Sequence, residues 1–170
     1  MPKVYLPSLR IVRFADDYLE AAKLVERNMM DRTGVMIPAC VMAGFSIELY
    51  LKSFLAEDAS TLISSFKGVD LYAGSQKAAH GHHLLKLFEQ IPQDLKDRVL
   101  EVSASKKSGY PLLKKLEKFS DYFFKGRYPY EPGSIPAYDS GVLGTAEHLS
   151  AICWEMVPKA YQPEEIDQGS

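Results

Sequence analysis

Apolar residues recur every three or four positions along most of this chain, the period of helices that bury one face. Phe14, Tyr18, Ala21, Ala22, Val25 and Met29 predict a first amphipathic helix over about 14–31. Asp16, Asp17 and Glu20 lie near its start and Arg27 and Arg32 near its end, as the helix dipole favours. Thr33-Gly34 ends it. The next stretch, 38–57, has a different pattern: it is apolar almost all the way round. Such a helix is buried on most sides, and Pro38 suits its first turn. Yet it carries Glu48 and Lys52, four apart and therefore stacked on one face. Charges in apolar surroundings are costly unless paired or placed at the lip of a cavity. The remaining helices should therefore pack around this one.

Asp58 or Ser60 can cap a short helix running through Phe66. Residues 67–79 have no period and hold two glycines, which predicts a loop. His80-Gly81-His82-His83 precedes a helix with Leu84, Leu85, Leu87, Phe88 and Ile91 apolar, stopped by Pro92. Leu95, Val99, Leu100 and Val102 predict another at about 93–104. Pro111 opens a further one, with Leu112, Leu113, Leu116 and Phe119 facing in and its end near Phe124. Residues 125–140 hold three prolines, two glycines and three tyrosines, an ordered loop whose tyrosines should pack down. A last helix spans about 141–161. With no segment of strand-like alternation, the expectation is an all-α antiparallel bundle of about five or six helices. It forms one domain over 14–161, with an N-terminal arm at 1–13 and a polar tail at 162–170.

At 170 residues the chain can bury a core without a metal or disulfide. The net charge of −2 excludes a broad electrostatic grip on nucleic acid but leaves room for a local patch. Cys40 and Cys153 stand alone in apolar helical contexts and read as two buried, reduced thiols. No continuous apolar core follows Lys3, so no signal peptide is expected. The longest uncharged apolar run, 35–47, falls short of the ~20 residues of a membrane span. These features point to a cytoplasmic protein with no membrane partner.

Three groups of residues could carry chemistry. Glu48 and Lys52 are either an ordinary surface pair or part of a polar site. The apolar neighbours Phe45, Leu49, Leu51 and Leu55 leave little exposed strip and favour the site. In the histidine cluster, no carboxylate or cysteine lies close enough for one segment to complete a metal site. One histidine should instead pair or cap at the helix start, and His82 is the candidate for the inward one, beside Glu48. The third group is Lys125-Gly126-Arg127-Tyr128-Pro129-Tyr130-Glu131, where Arg127, Tyr128 and Tyr130 offer a planar cation and stacking faces for a phosphate or base. The alternative is a loop that docks its tyrosines while Arg127 bonds a carboxylate such as Glu48. Lys106, Lys107, Lys114, Lys115, Lys118, Lys125 and Arg127 form the best local positive patch, which reads first as a solvated face. No phosphate-binding glycine loop, zinc framework or hydrolase nucleophile motif occurs.

Three pieces in order resemble the HEPN domain: Ala43-Gly44-Phe45-Ser46-Ile47-Glu48-Leu49-Tyr50-Leu51-Lys52, Gly81-His82-His83-Leu84-Leu85-Lys86-Leu87-Phe88, and Arg127-Tyr128-Pro129-Tyr130-Glu131. The resemblance implies a helical bundle, a homodimer, and association with nucleotides or RNA. It also implies a bacterial defence or toxin–antitoxin setting beside a nucleotidyltransferase partner. Many HEPN proteins are metal-independent ribonucleases that use an Arg, four to six residues, then a His. No Arg precedes a His at that spacing here. The resemblance therefore points to a binding or partner-docking module with Glu48, Lys52, His82 and Arg127 as its polar cluster and no cofactor. A ribonuclease or nucleotidyl-group enzyme with a non-standard His82, Glu48 and Arg127 cluster is the alternative.

Overall fold

In the computed structural model, which describes residues 4–29 and 32–158, helix α1 (Leu9–Arg27) begins earlier than the apolar period suggests. Ser8 caps it, its hydroxyl accepting from the Ile11 N–H. The expected arm at 1–13 is thus helical from Leu9 onward. A 3₁₀ turn (Thr33–Val35) leads into α2 (Met36–Ser53), which is buried along Ala39, Cys40, Ala43, Gly44, Ile47, Tyr50 and Leu51. Helices α3 (Leu84–Gln90), α4 (Gln93–Lys106), α5 (Leu112–Phe119) and α6 (Gly141–Met156) complete the helical part among the described residues. α2 packs against α1, α3 and α6, and α6 also packs against α1, α4 and α5. The predicted C-terminal helix to 161 is corrected to end at Met156, where Val157 is extended; residues 159–161 of it and the expected tail at 162–170 lie outside the described residues.

The protein is mostly helical, but it is not all-α. Residues 57–77 form an antiparallel arm of two nested ladders. β1 (Glu57–Asp58) pairs with β4 (Gln76–Lys77), and β2 (Thr61–Phe66) pairs with β3 (Val69–Ala73). The predicted helix through Phe66 and the predicted loop 67–79 are both corrected by it. Thr61, Ile63, Phe66, Val69 and Tyr72 are β-formers, and tight reversal at Lys67-Gly68 joins them with both φ angles positive. Helix propensity at 58–66 lost to this pairing.

Thr33–Ser53 is long and apolar enough, by length and composition, to cross a membrane, which exceeds the expectation drawn from its uncharged part. Half of that stretch is buried inside the protein, as befits a core helix. Cys40 and Cys153 are both free and buried, and burial pushes the Cys40 thiol up to about 11.

Two polar pins hold the bundle. Asp16 on α1 accepts from Tyr50 OH at 2.5 Å, Ser150 Oγ at 2.8 Å and Trp154 Nε1 at 2.8 Å, tying α1 to α2 and α6. Tyr50 is fully buried, and burial followed by its bond to Asp16 raises its pKa. On the other side, Ser103 Oγ of α4 lies 2.8 Å from His148 Nε2 of α6, and the Tyr110 ring stacks on the imidazole at 3.8 Å. Burial, then the nearby Lys107 charge, lowers the His148 pKa from 6.5.

Two outcomes follow. Asp16→Ala should cost about 2–4 kcal/mol in urea unfolding, because it strands the buried Tyr50 hydroxyl. The loss should shrink in a Tyr50→Phe background. His148, with its folded pKa below the unfolded value, contributes stability that is present above pH 6.5 and lost as pH falls through the folded pKa. The urea midpoint of the wild type should therefore drop more between pH 7.5 and pH 5.5, both roughly one unit from that value, than that of His148→Gln.

Candidate functional site

Glu48 is only 1% exposed, at the middle of the core helix. Two partners meet it. Lys52, one turn further on, places Nζ 2.8 Å from Oε1 and keeps 17% of its side chain exposed. His82 places Nδ1 3.1 Å from both carboxylate oxygens and remains 45% exposed. A buried carboxylate that holds one ring nitrogen sets the imidazole's orientation and leaves the other nitrogen outward. His82 Nε2 has no hydrogen-bond partner among the described residues. His82 thus pairs with Glu48 as the sequence suggests, but it is not the inward histidine: it is exposed, and His83, expected to face solvent, is half-buried. His82 lies in the irregular segment 78–83 ahead of α3, where Gly81 has a φ of 115°. The other two differ in surroundings: His80 is exposed, and His83 Nδ1 lies 3.2 Å from Ser120 Oγ.

Arg127 comes close to this cluster but does not bond Glu48, and the carboxylate alternative is corrected. Its guanidinium lies over the rings of Phe123 at 5.0 Å, Phe124 at 5.2 Å and Tyr128 at 5.5 Å. Its Nε donates to the Phe124 carbonyl at 3.4 Å. The Phe124 ring in turn stacks on His82 at 5.3 Å. Arg127 is thus joined to Glu48 through an aromatic layer rather than an ion pair. Tyr128 and Tyr130 do not pack down as expected; they stand exposed, edge to face at 6.3 Å. Tyr138, the third tyrosine of the loop, does pack on the core.

The aromatic layer is the part that sequence reasoning missed. Phe123 stacks on Phe45 at 4.2 Å, and Phe45 meets Tyr18 edge to face at 4.6 Å. The rings form a strip from α1 across α2 to the segment after α5. The predicted helix through Phe124 would hide this strip, but α5 ends at Phe119 and residues 120–127 turn. Close approach makes that turn possible. A Cβ on Gly44 would lie 3.1 Å from the Phe123 backbone N, and one on Gly126 would lie 2.2 Å from the Tyr122 carbonyl oxygen. The adjacent pair Phe123-Phe124 was the available signal, because neighbouring residues in a helix point about 100° apart and cannot share one narrow inward face.

Beside the strip, Ile11, Phe14, Tyr18, Phe45, Leu49 and Lys52 line a shallow groove of about 240 Å³. Three lysines of the basic run are paired elsewhere: Lys106 with Glu155, Lys125 with Asp121, and Lys118 with Asp139. No three His, Cys, Asp or Glu side chains converge as a metal site among the described residues. No family model matches the chain, and no curated protein or solved structure matches it either.

The geometry fixes the His82 tautomer. A neutral ring should carry its proton on Nδ1, facing Glu48, with Nε2 free. Nitrogen-15 chemical shifts should show this form in the wild type and the ordinary solution mixture in Glu48→Ala.

Proposed function

We propose that this chain is a HEPN-like helical module that binds a nucleotide or a short single-stranded RNA. The contact runs along Phe45, Phe123, Phe124, His82 and Arg127. The observation that carries the reading is the ring layer of Phe45, Phe123, His82 and Phe124, with Phe124 half-exposed and the Arg127 guanidinium upon it. Lys52 is paired with Glu48, whereas the Nη groups of Arg127 have no acceptor among the described residues. Bases stack on exposed rings at ~1–3 kcal/mol each, and a guanidinium bonds phosphate in bidentate fashion. The lack of a broad basic surface suits a short ligand better than a duplex. Tyr128 and Tyr130, exposed beside Arg127, extend the strip for a second base. The defence or toxin–antitoxin setting and the nucleotidyltransferase partner rest on the three motif pieces, and a nucleotidyltransferase reading frame beside the gene would support them.

One observation favours a second reading, cleavage of the bound strand. Glu48 orients His82 with Nε2 outward, the arrangement of a general base, and Arg127 supplies a cation nearby for developing phosphate charge. In this reading Nε2 would take the proton of the RNA 2′-hydroxyl as that oxygen bonds the adjacent phosphorus; the P–O5′ bond breaks, and the departing 5′-oxygen takes a proton from water, leaving a 2′,3′-cyclic phosphate.

Fluorescence polarisation with labelled oligo(A) and oligo(U) of about eight nucleotides, within the span of known single-strand sites, separates the two. Phe124→Ala and Arg127→Ala should each weaken binding by about tenfold, the value of one lost stack or charged contact. Wild-type affinity in both variants would overturn the binding site. Strand cleavage by the wild type that His82→Ala abolishes at saturating protein selects the second reading; an oligonucleotide left intact by the wild type selects the first.

A further inference from the structure

We propose that the cleft between the start of α1 and the base of the β arm binds a small zwitterion, a free α-amino acid with an apolar side chain. The cleft has a volume of about 280 Å³ and lies where α1, the β1–β4 end of the arm and Pro158 meet. Its two charged side chains are of opposite sign: Arg10 from the first turn of α1 and Asp58 from β1. They are not paired with each other. Arg10 donates from Nη1 to the Gly74 carbonyl at 3.2 Å, and its Nε and Nη2 have no acceptor among the described residues. Asp58 Oδ1 accepts from the Ser60 N–H at 2.9 Å and the Ser60 hydroxyl at 2.5 Å, whereas Oδ2 has no partner among the described residues. The Ser60 hydroxyl, and then its N–H, hold the Asp58 carboxyl below the usual carboxylate range, so it is anionic at neutral pH.

Opposite charges that face one cavity without meeting suit a ligand that carries both. A guanidinium bonds a carboxylate through parallel N–H donors, and Asp58 Oδ2 is open to an ammonium. Both anchors are tied to the same base of the arm. The Ser75 N–H donates to Ser60 Oγ at 3.3 Å, the Ser75 hydroxyl donates to the Ala59 carbonyl, and Ser8 Oγ bonds Gln76 Oε1 at 2.6 Å. The Asp58–Gln76 register and the Arg10–Gly74 bond therefore set how far apart the cation and the anion stand. Val4, Leu9 and Pro158 give the cleft an apolar wall for the ligand's side chain. Its volume is that of a small metabolite and falls short of most drug-sized sites. Other ligands match it less well. A phosphate would face the Asp58 carboxylate, and a metal ion would meet one carboxylate and the Arg10 charge. The cleft shares no residue with the Glu48 cluster, so the inference does not depend on the ligand proposed there.

Isothermal titration of the full chain with leucine, leucinamide and N-acetylleucine tests it. Leucine should bind with a Kd of about 1 mM or tighter. Each analogue lacks one of the two charges and should bind about tenfold more weakly, the value of one charge-assisted bond. Arg10→Gln should bind leucine as weakly as the wild type binds leucinamide. Asp58→Asn should bind it as weakly as the wild type binds N-acetylleucine, and far-UV helicity should be unchanged in both. The comparison of ligands on the wild type needs no variant, so it decides the matter should a variant fail to fold. No saturable binding of leucine up to about 10 mM, equal affinity for leucine and either analogue, or wild-type affinity in the folded variants would each overturn the proposal. So would glucose or inorganic phosphate that binds more tightly than leucine.

Discussion

A carboxylate sealed in the middle of the core helix constrains much of this structure. Glu48 is 1% exposed, and an unpaired carboxylate there would cost several kcal/mol. Its own helix supplies one partner, Lys52, whose long stem lets the ammonium reach the edge of the bundle. The second partner has to come from elsewhere in the chain, so the irregular segment 78–83 must deliver His82 to that spot. Once His82 is held, the Phe124 ring stacks on it. Arg127 then rests on the phenylalanine pair. A single buried charge thereby organises a layered surface: carboxylate, imidazole, benzene ring, guanidinium.

Asp16 solves a comparable problem in another way. It satisfies the buried Tyr50 hydroxyl and two donors of α6, so that the three longest helices share one polar anchor. All partners of Asp16 are donors from folded helices, and Asp16 serves packing. The Glu48 cluster differs because one partner, His82, faces outward with an unused nitrogen. That asymmetry is why the functional reading rests on Glu48 and not on Asp16.

The helical part of the fold was legible because its residues repeat the 3.6-residue period. The Glu48–His82 contact was legible too, because a charge in an apolar helix requires a partner and histidines at a helix start are apt to supply it. The arm was not legible. Its strands carry no polar–apolar alternation, since neither face is buried, and alternation is the trace that one-sided burial leaves. Lys67-Gly68 is a weaker turn signal than Asn-Gly, because lysine enters the positive-φ region less readily than asparagine. The aromatic strip was hidden for another reason: it depends on where α5 stops, and element ends are set by tertiary contacts such as the approach of Tyr122 and Phe123 to Gly44.

The sequence by itself determined the core helix, its two charges and the helices that wrap it, because period and burial are properties of the local pattern. Only the tertiary structure decided that Arg127 meets rings instead of Glu48, that Phe45, Phe123 and Phe124 line up with His82, and that residues 57–77 leave the bundle as an arm. Those outcomes depend on distances between segments far apart in the chain, and no local pattern encodes such distances.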